Sequence, residues 1–298
     1  MNINIRNEAH CIWEANALLG EGPVWCADSG VLYWIDIKGR AVHRCRADGG
    51  ERQTIEVPEE IGCLAICEKG GIVAALRSGI AFLDLNGGPA EMIVNPEAHM
   101  PANRFNDGKC DRRGRLWVGT MDDAGEKPTG ALYRLTFDLK IHKVLSGVAI
   151  ANGLGWSPDD KTMYFTDSVH RTIFAFDYDI EAGQAENRRI FAQVPGDQGS
   201  PDGLTVDREG YVWSAHWDGW RVTRYDPSGG VDRVIAMPVP RPTSCMFGGD
   251  GLDRLFVTSA SIDLTRDQLA KAPLSGGLFV IAPGVAGLPE PRFAGRRP

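Results

Sequence analysis

Three side chains with oxygen donors stand at matching places in the sequence, each followed directly by a glycine: Glu21, Asn152 and Asp202. Two carboxylates and an amide carbonyl brought together away from water would be costly unless a cation neutralised them. An all-oxygen set suits hard cations such as Ca²⁺, Mg²⁺ or Mn²⁺, and Zn²⁺ or Fe²⁺ is also compatible. We therefore expect one divalent metal ion, with open positions for water and substrate.

A repeated unit explains why these residues match. An Asp- and Gly-rich turn followed by a short apolar and aromatic strand occurs in copies centred on Tyr33, Val73, Trp117, Tyr164, Trp213 and Phe256. The spacings of 40, 44, 47, 49 and 43 residues are typical of β-propeller blades. The sequence thus predicts an all-β, six-bladed β-propeller of four-stranded blades, forming one domain over residues 1–298. A β-sandwich or two smaller barrels would not need such even spacing.

The N-terminal segment has a predicted place in this ring. The last repeat has little chain after its third strand, so Cys11–Glu14 is expected to supply the outer strand of that blade. This pairing would close the ring and remove an open sheet edge.

The innermost strand of every blade lines the central channel of a propeller. Counting back 11 or 12 residues from the repeat centres places polar side chains at the start of five inner strands: Glu21, Asn106, Asn152, Asp202 and Ser244. We expect them to form a ring at one end of the channel. The alternative interpretation is that Asp-Gly and Asn-Gly pairs are simply turn formers where the chain enters each blade.

A second set of polar and aromatic residues follows the strands that return to the same end: Asp36, Thr120–Asp123, Asp167–Ser168, His216–Trp217 and Ser259. These residues are expected to line a polar pocket. Within them, His216 is a candidate substrate contact or general base near neutral pH. The alternative role of this histidine is hydrogen-bonded packing.

Composition excludes several classes of function. A formal net charge of -7 argues against nucleic-acid binding. The sequence contains no run of 18 apolar residues, so we expect no membrane-spanning helix. Seven scattered cysteines are typical of reduced thiols, and the N-terminus does not resemble a signal peptide. We expect a cytoplasmic monomer or weak homo-oligomer. Nucleophile-elbow, zincin, P-loop and dinucleotide-binding motifs are absent.

Several stretches, in order along nearly the whole chain, resemble the gluconolactonase family, which includes regucalcin and luciferin-regenerating enzyme. They are Leu19–Trp25, Leu32–Asp36, Asn103–Lys109, Gly119–Met121, Ala151–Leu154, Asn187–Arg189, Pro201–Gly203 and Thr243–Gly249. A closer likeness is to bacterial sugar-acid lactonases such as xylonolactonases. The resemblance implies a six-bladed propeller with a divalent metal in its channel.

The resemblance also implies roles for individual residues. The family's metal ligands fall on Glu21, Asn152 and Asp202, and its substrate-binding Arg and Asn fall on Arg104 and Asn106. The position of a further substrate-contacting Glu falls on Ala124, so one of three nearby acidic residues is expected to replace it: Asp122, Asp123 or Glu126.

The predicted function is metal-dependent hydrolysis of a small-molecule sugar lactone, such as a glucono-, xylono-, arabinono- or galactonolactone. Asp202 is the expected general base, and the expected substrate contacts are Arg104, Asn106, Asn103, Asp123 and His216. Three alternatives are a non-catalytic calcium-binding regulator, a protein-interaction propeller, and a propeller esterase acting on less polar esters.

Overall fold

The computed structural model describes residues 8–296. Six four-stranded antiparallel sheets are arranged around a central channel, as the sequence repeat predicted. The first three blades and the strand that precedes them consist of β1 (His10–Trp13), β2 (Gly20–Cys26), β3 (Val31–Asp36), β4 (Ala41–Arg46), β5 (Gln53–Glu56), β6 (Ile61–Ile66), β7 (Ile72–Leu76), β8 (Gly79–Leu83), β9 (Glu91–Val94), β10 (Asn103–Cys110), β11 (Leu116–Asp122), β12 (Gly130–Leu135) and β13 (Ile141–Val148).

The remaining blades consist of β14 (Ala151–Trp156), β15 (Thr162–Asp167), β16 (Thr172–Asp179), β17 (Gln184–Gln193), β18 (Ser200–Val206), β19 (Val212–Trp217), β20 (Arg221–Tyr225), β21 (Val231–Ala236), β22 (Pro242–Gly248), β23 (Arg254–Ser259) and β24 (Leu278–Ile281). One short α-helix, α1 (Arg266–Lys271), lies between the last two strands. No helix within residues 8–296 combines the length and apolar character that a membrane span requires.

The ring closes between the two ends of the chain. Strand β1 pairs antiparallel with β24, with His10 opposite Val280 and Cys11 opposite Phe279. The N-terminal strand is therefore the outer strand of the sixth blade, which confirms the prediction for Cys11–Glu14. Because β24 pairs with β1 on one side and with β23 on the other, β24 is not left as an open sheet edge.

Buried aspartates hold the recurrent turns. The carboxylate of Asp111 accepts hydrogen bonds from the backbone N–H groups of Arg113 and Arg115 and from the indole Nε1 of Trp117. Asp207 repeats this arrangement two blades later, with Trp213 as its indole partner. The carboxylate thus ties each tight turn to the following strand, which explains the Asp and Gly signal in the sequence.

The hydrophobic core fills the spaces between neighbouring blades. Trp117 of the third blade and Trp156 of the fourth lie with ring centroids 6.2 Å apart in an edge-to-face arrangement. Phe293, near the C-terminus, is fully buried beside Phe82. Large aromatic side chains therefore help to hold the blades to one another, because their burial removes much apolar surface from water.

A C-terminal strap, residues 284–296, crosses the channel end where the inner strands finish. Its backbone forms bridges from Gly287 to Asp207 and from Phe293 to Cys67, and Ala294 donates to the carbonyl of Gly114. The strap therefore covers the end of the channel opposite the predicted ring of oxygen donors.

Candidate active site

All six inner strands are irregular at the same place. The pairing with the second strand shifts between Glu21 and Val24 in the first blade and between Asn152 and Leu154 in the fourth. Equivalent shifts occur in the other four blades. A β-bulge releases side chains from the regular alternation and can turn them toward the channel. The predicted donors lie at or beside these bulges.

Glycines let the inner strands approach one another at this level. A Cβ atom on Gly153 would lie 2.6 Å from the carbonyl oxygen of Asp202, and one on Gly62 would lie 2.6 Å from the carbonyl oxygen of Phe105. Real Cβ atoms do not come so close to backbone oxygens, so the narrow channel requires glycine there.

A cavity of about 330 Å³ opens at this end of the channel. Its lining combines charged, polar and apolar side chains: Leu19, Glu21, Lys38, Arg104, Asn106, Met121, Asp123, Ala124, Gly125, Ile150, Asn152, Ser168, Val169, Ser200, Asp202, Trp217, Ile262 and Asp263. Of the eight predicted site residues, six therefore meet at one cavity. Its size suits a small ligand.

Two buried oxygens in this cavity have no hydrogen-bond partner. They are Oδ1 of Asn152 and Oδ1 of Asp202, and their residues are only 5% exposed. The amide nitrogen of Asn152 donates to Oγ of Ser168 at 3.1 Å, so the amide oxygen is the atom left free. Buried polar atoms without a partner are rare in folded proteins and call for a ligand, ion or water.

Negative charge is concentrated around these oxygens. Burial raises the pKa of Glu21 well above its usual range, and the charges of Asp202 and Asp107 raise it further. Burial and the charge of Asp107 likewise raise the pKa of Asp202. The site thus disfavours three ionised carboxylates in the absence of a counter-charge.

The donor set fits a hard divalent cation, because it offers two carboxylates and one amide carbonyl, and Asn152 and Asp202 each have a buried oxygen without a partner. Within residues 8–296, no group of three or more His, Cys, Asp or Glu side chains is placed to hold a metal ion. A cation at this site would therefore depend on the amide of Asn152 as well as on Glu21 and Asp202.

Arg104 connects the donor set to the cavity wall. Its Nη1 donates to Oδ1 of Asn106 at 2.7 Å, and the amide of Asn106 donates to the carbonyl of Ala151 at 2.8 Å. Its Nε donates to Oδ1 of Asp123 at 2.8 Å. The guanidinium is therefore held in a fixed orientation on both sides, as a group that recognises oxygen atoms requires.

Asp123 lies at the centre of a charged group. Besides Arg104, Nζ of Lys38 and Nη1 of Arg77 each approach its carboxylate to 2.8 Å. Burial alone would raise its pKa, but the hydrogen bonds from these cations outweigh burial and hold the pKa of Asp123 well below its usual range. Asp123 is therefore ionised. Of the acidic residues considered for the position near Ala124, it is the one that lines the cavity.

Two predicted substrate contacts lie outside this cavity. His216 is fully buried, its Nδ1 lies 2.9 Å from the carbonyl of Gln198, and its Nε2 lies 3.2 Å from the hydroxyl of Tyr225. Asn103 donates to Glu97 and to the carbonyl of Thr129. Both side chains are engaged within the protein, so we do not include them in the proposed site. Burial lowers the pKa of His216 to about 4, which keeps the ring neutral near neutral pH.

Sequence reasoning missed Lys38, which follows the second-strand residue Asp36 in the first blade. The carboxylate of Asp36 accepts hydrogen bonds from the backbone N–H groups of Leu18, Leu19 and Gly39. Asp36 is therefore a turn-stabilising residue, and the turn that it holds presents Lys38 to the cavity. The available signal was its position two residues after Asp36, which belongs to the second set of residues expected to line a polar pocket.

The chain is similar to known proteins over most of its length. Residues 19–261 match the family model described as the SMP-30/Gluconolactonase/LRE-like region. The chain is 40% identical to an L-arabinolactonase from Azospirillum brasilense, over 98% of each chain. It is 37% identical to a 6-deoxy-6-sulfogluconolactonase from Pseudomonas putida, over 96% of this chain and 98% of the relative.

A solved structure shares the architecture. The calcium-binding protein regucalcin from Agrobacterium tumefaciens superimposes with a TM-score of 0.91 at 30% identity, covering 95% of this chain and 96% of the other. The likeness extends over nearly the whole of both chains.

Proposed function

The chain belongs to the SMP-30/gluconolactonase/LRE-like family, and we propose that it hydrolyses a sugar-acid lactone to the open aldonate with one divalent metal ion held by Glu21, Asn152 and Asp202. The observation that carries this proposal is that Asn152 and Asp202, which line the cavity, each have a buried oxygen without a hydrogen-bond partner. The two relatives named as lactonases support the substrate class. Regucalcin, described as calcium-binding, supports a divalent metal.

A bound divalent cation would supply Lewis-acid polarisation of the lactone carbonyl and would favour ionisation of water. The side chains of the cavity would perform the remaining tasks. Arg104 and Asn106 would bind and orient sugar oxygens, since the guanidinium offers donors in a fixed planar fork. Met121, Ile150 and Trp217 would contact the apolar C–H faces of the sugar and exclude water.

Asp202 is proposed as the general base. The water oxygen forms a bond to the carbonyl carbon while Asp202 accepts the water proton. The bond between that carbon and the ring oxygen then breaks, and the ring oxygen takes up the proton as it leaves. The products are the hydroxyl and the carboxyl group of an open aldonic acid, so no further reactant is required.

The test is hydrolysis of a panel of aldonolactones by the purified protein, before and after chelation and after addition of Ca²⁺, Mg²⁺, Mn²⁺, Zn²⁺ or Fe²⁺. Chelation and Asp202→Ala are expected to lower kcat/KM at least about 100-fold. Asp138→Ala, at an exposed turn, is the matched control. Rates that equal spontaneous ring opening for every lactone would contradict the proposal, as would full activity of the Asp202 variant.

The second candidate is a calcium-binding propeller without turnover. It is favoured by the similarity to regucalcin, described as a calcium-binding protein. A melting temperature that rises with Ca²⁺ and falls with chelator, together with no hydrolysis of any lactone, would favour this candidate over the enzyme.

A further inference from the structure

A group of charged side chains from three blades forms one wall of the cavity. Lys38 comes from the first blade, Glu60 and Arg77 from the second, and Arg104 and Asp123 from the third. Nζ of Lys38 lies 2.9 Å from Glu60 and 2.8 Å from Asp123. Among these residues, Lys38, Arg104 and Asp123 line the cavity itself, whereas Glu60 and Arg77 stand behind them.

The loops that present Lys38 and Asp123 are themselves held in place. Asp36 fixes the turn that carries Lys38 by accepting the N–H of Gly39 at 2.9 Å. Asp122 likewise fixes the turn that follows Asp123, since its carboxylate accepts a hydrogen bond from the N–H of Glu126 at 3.1 Å. Side chains presented from two braced turns lose little conformational freedom when they bind a ligand.

Lys38 and Asp123 retain hydrogen-bonding capacity. An ammonium group has three N–H donors, and within residues 8–296 Lys38 uses two of them, toward Glu60 and Asp123. Oδ1 of Asp123 accepts from Lys38 and Arg104, and Oδ2 accepts from Arg77. A carboxylate has about four lone-pair sites, so one acceptor position on Oδ2 is left. The pair therefore offers one donor and one acceptor at the cavity.

One donor beside one acceptor is the complement of a hydroxyl group. The five side chains carry three positive and two negative charges, so the wall has a net charge of only +1. An anionic ligand would meet the free lone pair of Asp123 as well as the ammonium. A hydroxyl uses both positions, because it donates one hydrogen bond and accepts others.

We propose that Lys38 and Asp123 form the element that recognises the substrate hydroxyl farthest from the lactone carbonyl, and that Lys38 is a specificity-determining residue. This inference rests on the proposed lactonase function. Hydrogen bonds run from Asp123 through Arg104 and Asn106 to Ala151, the neighbour of Asn152. Along this series of hydrogen bonds, Arg104 therefore stands between Asp123 and the metal-binding donor set, beside which the lactone carbonyl would bind. Lys38 and Asp123 lie on the far side of Arg104 from that donor set. The carboxylate of Asp123 accepts a hydrogen bond from the hydroxyl O–H, and the ammonium of Lys38 donates one to the hydroxyl oxygen.

The experiment compares a pentono-1,4-lactone with its 5-deoxy analogue in the same preparation of metal-loaded protein. The wild type is expected to prefer the hydroxylated lactone by about tenfold or more in kcat/KM. Lys38→Met is expected to bring that preference close to one, mainly by raising KM for the hydroxylated lactone. Lys140→Met, at an exposed turn outside the site, is expected to keep the wild-type preference.

The ratio of two lactones in one preparation does not depend on the fraction of protein that is folded, so misfolding of Lys38→Met cannot imitate the expected result. An unchanged ratio in Lys38→Met would overturn the inference while leaving lactonase activity intact. Preference for a 6-deoxy-6-sulfo lactone that is lost in Lys38→Met would also overturn it, because the wall would then recognise an anion. Absence of all wild-type hydrolysis would instead overturn the proposed function, and the inference with it.

Discussion

Ser168 orients Asn152: its Oγ accepts a hydrogen bond from Nδ2 of Asn152 at 3.1 Å and donates to the carbonyl of Pro201 at 2.7 Å. The serine proton is committed to a carbonyl, which can only accept, so the serine oxygen must accept from the amide nitrogen. Oδ1 of Asn152 is thereby directed away from Ser168 and remains unpaired.

Loss of this hydrogen bond is expected to weaken metal binding. Ser168→Ala frees the amide of Asn152 to rotate, and partners of metal ligands typically contribute about tenfold or more to affinity. The measurement is titration calorimetry with Ca²⁺ or Mn²⁺, with Ser146→Ala on an exposed strand as the control. Equal affinity in wild type and Ser168→Ala would remove Ser168 from the proposed role.

Glu21→Gln is expected to have opposite effects in the absence and presence of metal. Without metal the substitution removes a carboxylate whose pKa is raised by burial and by the charges of Asp202 and Asp107, so we expect a melting temperature higher by about 2 °C or more. With metal, the stabilisation by bound ion is expected to be largely lost.

The measurement for Glu21→Gln is thermal unfolding in chelator and in saturating Ca²⁺ or Mn²⁺. Glu14→Gln, an exposed change of the same kind, provides the control. A variant that is less stable in chelator yet gains as much from metal as the wild type would contradict the assignment of Glu21.

His216 is expected to make stability depend on pH. Burial lowers its pKa from 6.5 to about 4, so between these values the unfolded chain binds a proton that the folded protein excludes. Stability is therefore full above about pH 6.5 and falls by up to about 3 kcal/mol as the pH drops toward 4.

Denaturant unfolding of the wild type and His216→Gln between pH 4 and 7.5 measures this contribution. The difference between the two proteins should shrink as the pH falls, whereas His99→Gln, an exposed histidine, should follow the wild type. Parallel curves for wild type and His216→Gln would show that His216 does not titrate as expected.

Phe293 is expected to anchor the C-terminal strap. Its side chain is fully buried against Phe82, and its backbone pairs with the second blade through Ile66 and Glu68. Phe293→Ala should cost about 3–5 kcal/mol in the free energy of unfolding. Phe137→Ala, whose side chain is 63% exposed, should change it by less than about 0.5 kcal/mol. Denaturant unfolding distinguishes the two, and equal small effects would mean that the strap is not anchored by this ring.

Much of the framework could be predicted from local sequence patterns. The Asp and Gly turns, as at Asp111 and Asp207, are recognisable in the sequence because each is held by contacts within a few residues, and they recur at an even period. That period gives the number of blades. It also places Glu21, Asn152 and Asp202 at equivalent starts of inner strands. The orientation of their side chains could not be predicted in this way, because it depends on bulges and on partners such as Ser168.

The sequence by itself determined the ring of blades, its closure by the N-terminal strand and the set of oxygen donors at one end, because these follow from periodicity and turn chemistry that act over short distances. Tertiary structure alone decided which side chains share a cavity. It brought Lys38 to Asp123 across 85 positions of the chain and directed both nitrogens of His216 into the protein. Such contacts join residues far apart in sequence, whose distances are set only when the blades pack around the channel.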